Sequence, residues 1–216
     1  METAVSLLTY STLLPQILPE TPGCSDPLAV QAVRDTVIEL CRSTRLWRHR
    51  ADLASVRAGV ADYDLDDVPQ QAAVVTLLSI VIDGAMLYPA SEDQLDVSMP
   101  SWRTDTGTPV HYLQLDPSAV TLVPCPDTTV AKSMSMTLAV MPSRTSTGFP
   151  GWINDQHQDC IVVGAKARLL AMQAHPWYSP NMAVAYAAQF RLLSGAAIDA
   201  GTRSLVRARL RTTPQH

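Results

Sequence analysis

The side chains in this 216-residue chain with chemistry to offer are five histidines, four cysteines and one cluster of aspartates. His49, His111, His157, His175 and His216 are scattered, and no two stand at the i, i+4 spacing that puts a pair of imidazoles on one helix face around a zinc ion. His157 and Cys160 are the closest thiol and imidazole in the sequence. A catalytic thiol needs an electropositive, partly open setting, and the apolar residues around this pair predict a packed helix interior instead. Cys24, Cys41, Cys125 and Cys160 lie far apart, so their spacing indicates neither a zinc site nor a disulfide framework, and they are expected to be buried thiols of a reducing compartment. Asp62, Asp64, Asp66 and Asp67 flank Tyr63 and Leu65, which suggests calcium. The run lacks the glycine and closing glutamate of an EF-hand, and a solvated strand face fits it better. There is no phosphate-cradling glycine loop, no G-x-S-x-G elbow and no zinc-protease helix. The expectation is a chain with no catalytic residue, no metal site and no cofactor.

Charge placement carries more than the net of −4. Residues 52 to 105 hold ten acids against Arg57 and Arg103, whereas from residue 151 onward seven bases face Asp155, Asp159 and Asp199. The last four bases, Arg203, Arg207, Arg209 and Arg211, meet no acid. One reading is a solvated acidic lobe with a basic tail; the other is two ends built for different neighbours. The tail has no interleaved aromatics and the chain as a whole is acidic, so a partner-docking arm is expected rather than specific DNA recognition.

The elements that must position these residues begin with residues 3 to 18, where Pro15, Pro19 and Pro22 leave room for a short helix and a turn. Ser25-Asp26-Pro27 reads as an N-cap followed by proline at the first helical position, opening a helix to about Arg45 with Val30, Val33, Val37, Leu40 and Cys41 on its buried stripe. Leu53 to Val56 and Val60 to Leu65 read as two strands joined across Arg57-Ala58-Gly59. Ala72 to Ile82 reads as a buried strand, and Asp83-Gly84 as a type I′ turn returning into Ala85 to Pro89. Ser91 to Leu95 is a capped helical turn leading to Trp102.

Strands are next expected at about Val110 to Leu115 and Ala119 to Val123, reversed by Asp116-Pro117-Ser118. Met134, Met136, Leu138 and Val140 alternate with Ser133, Ser135, Thr137 and Ala139, the cleanest period-two signal in the chain. After a connector from Arg144 to Gly151, the helical period holds from Trp152 to about Gln173, with Ile153, His157, Cys160, Gly164, Ala167 and Ala171 on one face, small enough for a neighbouring helix to approach closely. Ser179-Pro180 starts a last helix to about Ala200, its packed face expected to carry Met182, Tyr186, Phe190, Leu193 and Ala197. The fold class read from this order is α+β. Residues 1–47 and 151–202 are expected to form a helical bundle with an inserted antiparallel β domain at 48–150, followed by a basic arm at 203–216. The N-terminus lacks the basic flank of a signal peptide, and no apolar run approaches the roughly 20 residues that span a bilayer.

Gly107, Pro109, Tyr112 and Asp116 follow the pattern G-x-P-x-x-Y-x-x-x-D, and Leu122, Pro124 and Pro126 follow L-x-P-x-P. With Pro27 through Thr44, the Tyr63-Asp64-Leu65 strand, the Asp83-Gly84 hairpin and Ala165 through Met172, these resemble the head-to-tail adaptor proteins of tailed bacteriophages, in particular the tail tubular protein of short-tailed phages. The resemblance implies a structural virion protein made in the host cytoplasm: a self-assembled ring, usually a dodecamer, between the portal protein and the tail nozzle protein, with genomic DNA passing through its centre and no membrane partner. On this reading Arg203, Leu205, Arg207, Arg209, Leu210 and Arg211 form a portal-docking arm that orders on docking, the arginines supplying position and the leucines burial. The competing class is a cytoplasmic ligand-binding or regulatory module without catalysis.

Overall fold

The computed structural model describes the backbone of residues 6–51 and 54–202 and the side chains through residue 198. The chain divides into two compact units, one made of residues 1–46 and 142–216 and the other of residues 47–141.

The first unit opens with strand β1 (Leu7–Thr9), a 3-10 turn over Tyr10–Leu13, the single turn α1 (Leu14–Ile17) and a second 3-10 turn over Leu18–Glu20. Helix α2 (Asp26–Thr44) follows. Ser25 stands at its N-cap in extended conformation, but its side chain makes no capping bond. Pro27 occupies the second helical position, not the first, and so removes one of the two N–H groups, at the second and third positions, that an N-cap hydroxyl ordinarily accepts from. Ala29, Ala32, Val33, Val37, Leu40 and Cys41 form the buried face; Val30, expected there, is only half-buried.

The second unit contains β2 (Arg48–Arg50), β3 (Ala54–Val56), β4 (Asp62–Asp64), β5 (Ala72–Ile82), β6 (Ala85–Met86), β7 (Tyr88–Pro89), α3 (Glu92–Ser98), β8 (Thr106–Gly107), β9 (His111–Asp116), β10 (Ala119–Val123), β11 (Cys125–Pro126) and β12 (Val130–Pro142), whose last residue falls in the first unit. One sheet runs β2-β12-β5-β6, with β3 also paired to β12; another runs β4-β10-β9-β7; β11 and β8 form a short pair. The strands β3 and β4, read as joined across Arg57-Ala58-Gly59, therefore separate into different sheets. The β block is also not wholly antiparallel, because β7 pairs with β9 and β11 with β8 in parallel.

Local chemistry explains the turns of this unit. Asp83 and Gly84 both take positive φ (48° and 82°), as a type I′ turn requires, and set Ile82 opposite Ala85. The return strand β6 is shorter than expected: it ends at Met86, the Leu87 N–H still bonds the Ile80 carbonyl at 3.0 Å, and Tyr88 joins β9. Asp116 closes the β9–β10 turn by accepting the Ser118 N–H at 2.6 Å. Ser91 and Gln94 form a reciprocal capping box at the start of α3. Met134, Met136, Leu138 and Val140 of β12 are all buried.

The first unit resumes with β13 (Gly148–Pro150), α4 (Gly151–Leu170) and α5 (Pro180–Thr202). The connector expected over 144–151 thus contains a strand, paired antiparallel to β1. Helix α4 departs from helical geometry at His157 and stops at Leu170, three residues before Gln173, where the Ser179 N–H bonds the Leu170 carbonyl at 3.0 Å. Helices α2, α4 and α5 contact one another. Beneath them, Tyr10 stacks on Phe149 at 5.4 Å and donates or accepts a 2.7 Å bond with Ser146.

Candidate functional site

The chemistry-bearing residues are dispersed over the two units. Cys160 is buried in α4, and burial, with the Glu39 carboxylate as a lesser cause, pushes its thiol up to about 11. Burial also lowers the proton affinity of His157, so the imidazole is poorly suited to receive a thiol proton. A thiol raised by burial and an imidazole whose proton affinity is lowered by burial are the reverse of an activated nucleophile and its base. Cys41 is pushed further by burial, to about 12, and Cys24 is also raised. Cys125, expected to be buried, is half-exposed beside the Pro126 carbonyl in the short β11–β8 pair, whose two-residue strands are too short to enclose it.

The aspartate run lies on and just beyond the edge strand β4, with Asp62, Asp64, Asp66 and Asp67 exposed. Asp62 accepts the Thr121 hydroxyl at 2.6 Å. Among the described residues no three His, Cys, Asp or Glu side chains converge as a metal site would require. The remaining histidines are separate: His175 stacks on the buried Trp177 at 4.5 Å, while His49 and His111 each keep one buried ring nitrogen without a hydrogen-bond partner.

The motif residues Gly107 to Pro126 form scaffold. Tyr112 is buried directly opposite Leu122 across β9 and β10, and Gly107 sits beside Pro126 in the β11–β8 pair. Leu95, Trp102, Leu113 and Val123 form the core below them. Trp102 donates its indole N–H to Asp96 at 2.8 Å and carries the Arg103 guanidinium over its ring at 4.2 Å; Arg103 in turn binds Asp96 at 2.6 Å. The Arg103 bond, then the Trp102 bond, hold the exposed Asp96 carboxyl below its usual range.

Sequence reasoning missed one surface feature. An open concavity of about 530 Å³ lies between α3 and the β7–β9 edge, lined by Pro89, Ala90, Asp93, Gln94, Val97 and His111 among others. His111 Nδ1 is one of the unpartnered atoms, and Tyr88 packs on the ring at 6.4 Å. Met86, Tyr88 and Val97 are exposed nearby in sequence. Seven of its eight lining residues fall within residues 89–98, and the parallel pairing of β7 with β9 brings the eighth, His111, to them.

The candidate arm residues Arg203, Leu205, Arg207, Arg209, Leu210 and Arg211 lie outside the described residues. Among the described residues, no helix is long and apolar enough to cross a membrane.

The described residues thus form an α+β chain in which Cys24, Cys41 and Cys160 are buried with their thiols raised by burial, and in which the motif residues build scaffold. The SU10 adaptor protein family model matches residues 8–213, and the chain belongs to that family of bacteriophage structural adaptors, whose place is the virion. No curated protein matches the chain significantly.

Proposed function

We propose that the chain is a head-to-tail adaptor related to the tail tubular proteins of short-tailed phages. It forms a ring, a dodecamer, between portal protein and tail nozzle protein, and genomic DNA passes through the centre. The observation that carries this reading is the family match over nearly the whole length, residues 8–213. In this arrangement residues 1–46 and 142–202 act as a helical body, residues 47–141 as an inserted β domain, and residues 203–216 as the portal-docking arm. Each arginine of the arm would pair with carboxylates or carbonyls in a cleft between portal subunits.

The uneven charge supports a division of labour. Residues 47–141 carry twelve acids against five bases. Part of that acidic surface faces the channel and keeps the DNA path slippery, since like charge disfavours adhesion of a phosphate backbone. A ring with residues 52–105 wholly on its outer rim would refute this assignment of the acids.

Quantitative mass spectrometry of purified virions, with electron microscopy of the head-tail junction, tests the function. A stoichiometric chain in ring multiples at that junction is the expected result; its absence from virions removes the adaptor reading. The second reading, a ligand-binding or regulatory module, draws on the concavity beside His111. A soluble small molecule that protects His111 from chemical modification, with the chain missing from virions, would favour it.

A further inference from the structure

Helix α5 buries one narrow stripe. Ala183, Phe190 and Ala197 are buried at seven-residue intervals, and Tyr186 and Leu193 beside them are half-buried. On the opposite side Val184 is 70% and Leu192 75% exposed, and between and beyond them Ala185, Ala188 and Ala196 are exposed as well. A Cβ added at Gly195 would meet nothing within 4 Å. This outer face is a floor of small residues with two large apolar side chains rising from it, about 12 Å apart along the axis at 1.5 Å per residue. A helix apolar on both sides is expected to be covered on both sides.

Charge identifies the cover. From Pro180 to Ile198 the helix has one charged residue, Arg191, next to Leu192, and among the described residues it forms no ion pair. In the same unit Glu20 is bound by Lys166, Asp35 by Arg144 and Glu39 by Arg168, and Asp26 occupies the first turn of α2. Of the acids in this unit whose side chains are described, Asp155 and Asp159 remain, exposed on the N-terminal half of α4 and without an ion-pair partner among the described residues. Asp155 stands one turn from the half-buried Trp152, and Asp159 follows beyond the break in helical geometry at His157, so the three line the N-terminal half of α4 without sharing one regular helical stripe. An α5 face with an apolar floor and one cation thus has a counterpart with an indole and two anions on another surface of the same unit.

We infer that the outer face of α5 in one copy of this chain packs on the Trp152, Asp155 and Asp159 surface of α4 in a second copy, with Arg191 bound to the two aspartates. The small residues let the helices approach closely, and Leu192 packs against the α4 surface. Pairing α5 with α5 would bring two Arg191 guanidiniums together and close a dimer. Pairing α5 with α4 uses two different surfaces, so each copy keeps a free donor and a free acceptor and the contact repeats around an axis. This rests on the ring reading above and names its interface.

The test is sedimentation equilibrium of the full chain over a range of concentrations, as wild type, Arg191→Glu, Asp155→Lys with Asp159→Lys, Leu192→Glu, and the three charge reversals together. These positions are exposed, and circular dichroism at a concentration where wild type is dissociated should give every variant the wild-type melting curve. Wild type should associate reversibly, each variant set alone should raise the dissociation constant at least about tenfold, and the combined reversals should return it to within about threefold of wild type. Purely monomeric wild type, or combined reversals that fail to restore association, would overturn the interface. The virion measurement is separate. A chain present in virions whose association ignores these changes loses the α5 interface and keeps the adaptor function; one absent from virions whose association follows the charge cycle loses the adaptor function and keeps the interface.

Discussion

Gly164 of α4 faces Phe190 of α5 so closely that a Cβ at position 164 would stand 2.8 Å from the ring Cδ2 and 2.4 Å from Thr36 Cγ2 on α2. Neither neighbour yields easily. Thr36 is pinned by its hydroxyl bond to the Ala32 carbonyl at 2.7 Å, and the Phe190 ring is buried. Gly164→Ala should therefore destabilise the protein by about 1–3 kcal/mol through overpacking, despite the better helix propensity of alanine. Urea unfolding reads the effect, and an unchanged midpoint would show that α2 and α5 do not crowd this glycine.

Glu20 ties the N-terminal turns to the two long helices, accepting from Lys166 Nζ and from the Tyr186 hydroxyl, each at 2.7 Å. The Lys166 bond first, and the Tyr186 bond second, hold its carboxyl below the usual range. A depressed carboxylate contributes stability that is complete above its unfolded value of about 4.3 and is lost as pH falls through the lower folded value. Glu20→Gln should lower stability at pH 7 and leave it nearly unchanged near pH 2. Parallel loss at both pH values in thermal melts would exclude a charge-based contribution.

Tyr186 shows the opposite edge of the same contact, its phenol raised chiefly by the bond to Glu20. Because the folded state favours the protonated phenol, its contribution is complete below the unfolded value of about 10 and is lost as pH rises through the folded value. Ultraviolet titration should find one tyrosine in wild type ionising later than in Glu20→Gln; identical titrations would contradict the contact.

Thiol labelling follows from burial. Cys125 should react with a maleimide first in the native protein, with Cys24, Cys41 and Cys160 reacting only on unfolding. Peptide mass spectrometry reads the order, and early labelling of Cys41 would contradict its buried place in α2.

Deleting residues 203–216 should shift unfolding by no more than about 1 kcal/mol and abolish assembly on portal-bearing capsids. Normal assembly of the truncated chain would remove the docking role of the arm; a large loss of stability would assign the arm to the helical body instead.

The amino-acid sequence by itself determined those elements whose cause is local. Asp83-Gly84 needs only two residues that accept positive φ, Ser91 and Gln94 satisfy each other within one turn, and the alternation of β12 is written into consecutive side chains. Of the small face expected on α4, Ile153, Cys160 and Gly164 are buried, whereas His157 and Ala167 are half-buried and Ala171 lies exposed beyond the helix end. Tertiary structure decided what depends on a distant partner. Leu7–Thr9 is a strand because Gly148–Pro150 lies beside it, and Arg48–Arg50 because β12 supplies backbone groups to residues whose own side chains carry no alternating apolar pattern. The packed face of α5 likewise turned on its neighbours: Ala183 is buried where Met182 was expected, and Val184 and Leu192 are left outside. Period alone marks a helix as apolar on two sides, and only the placement of α4 selects which side is filled and which awaits another chain.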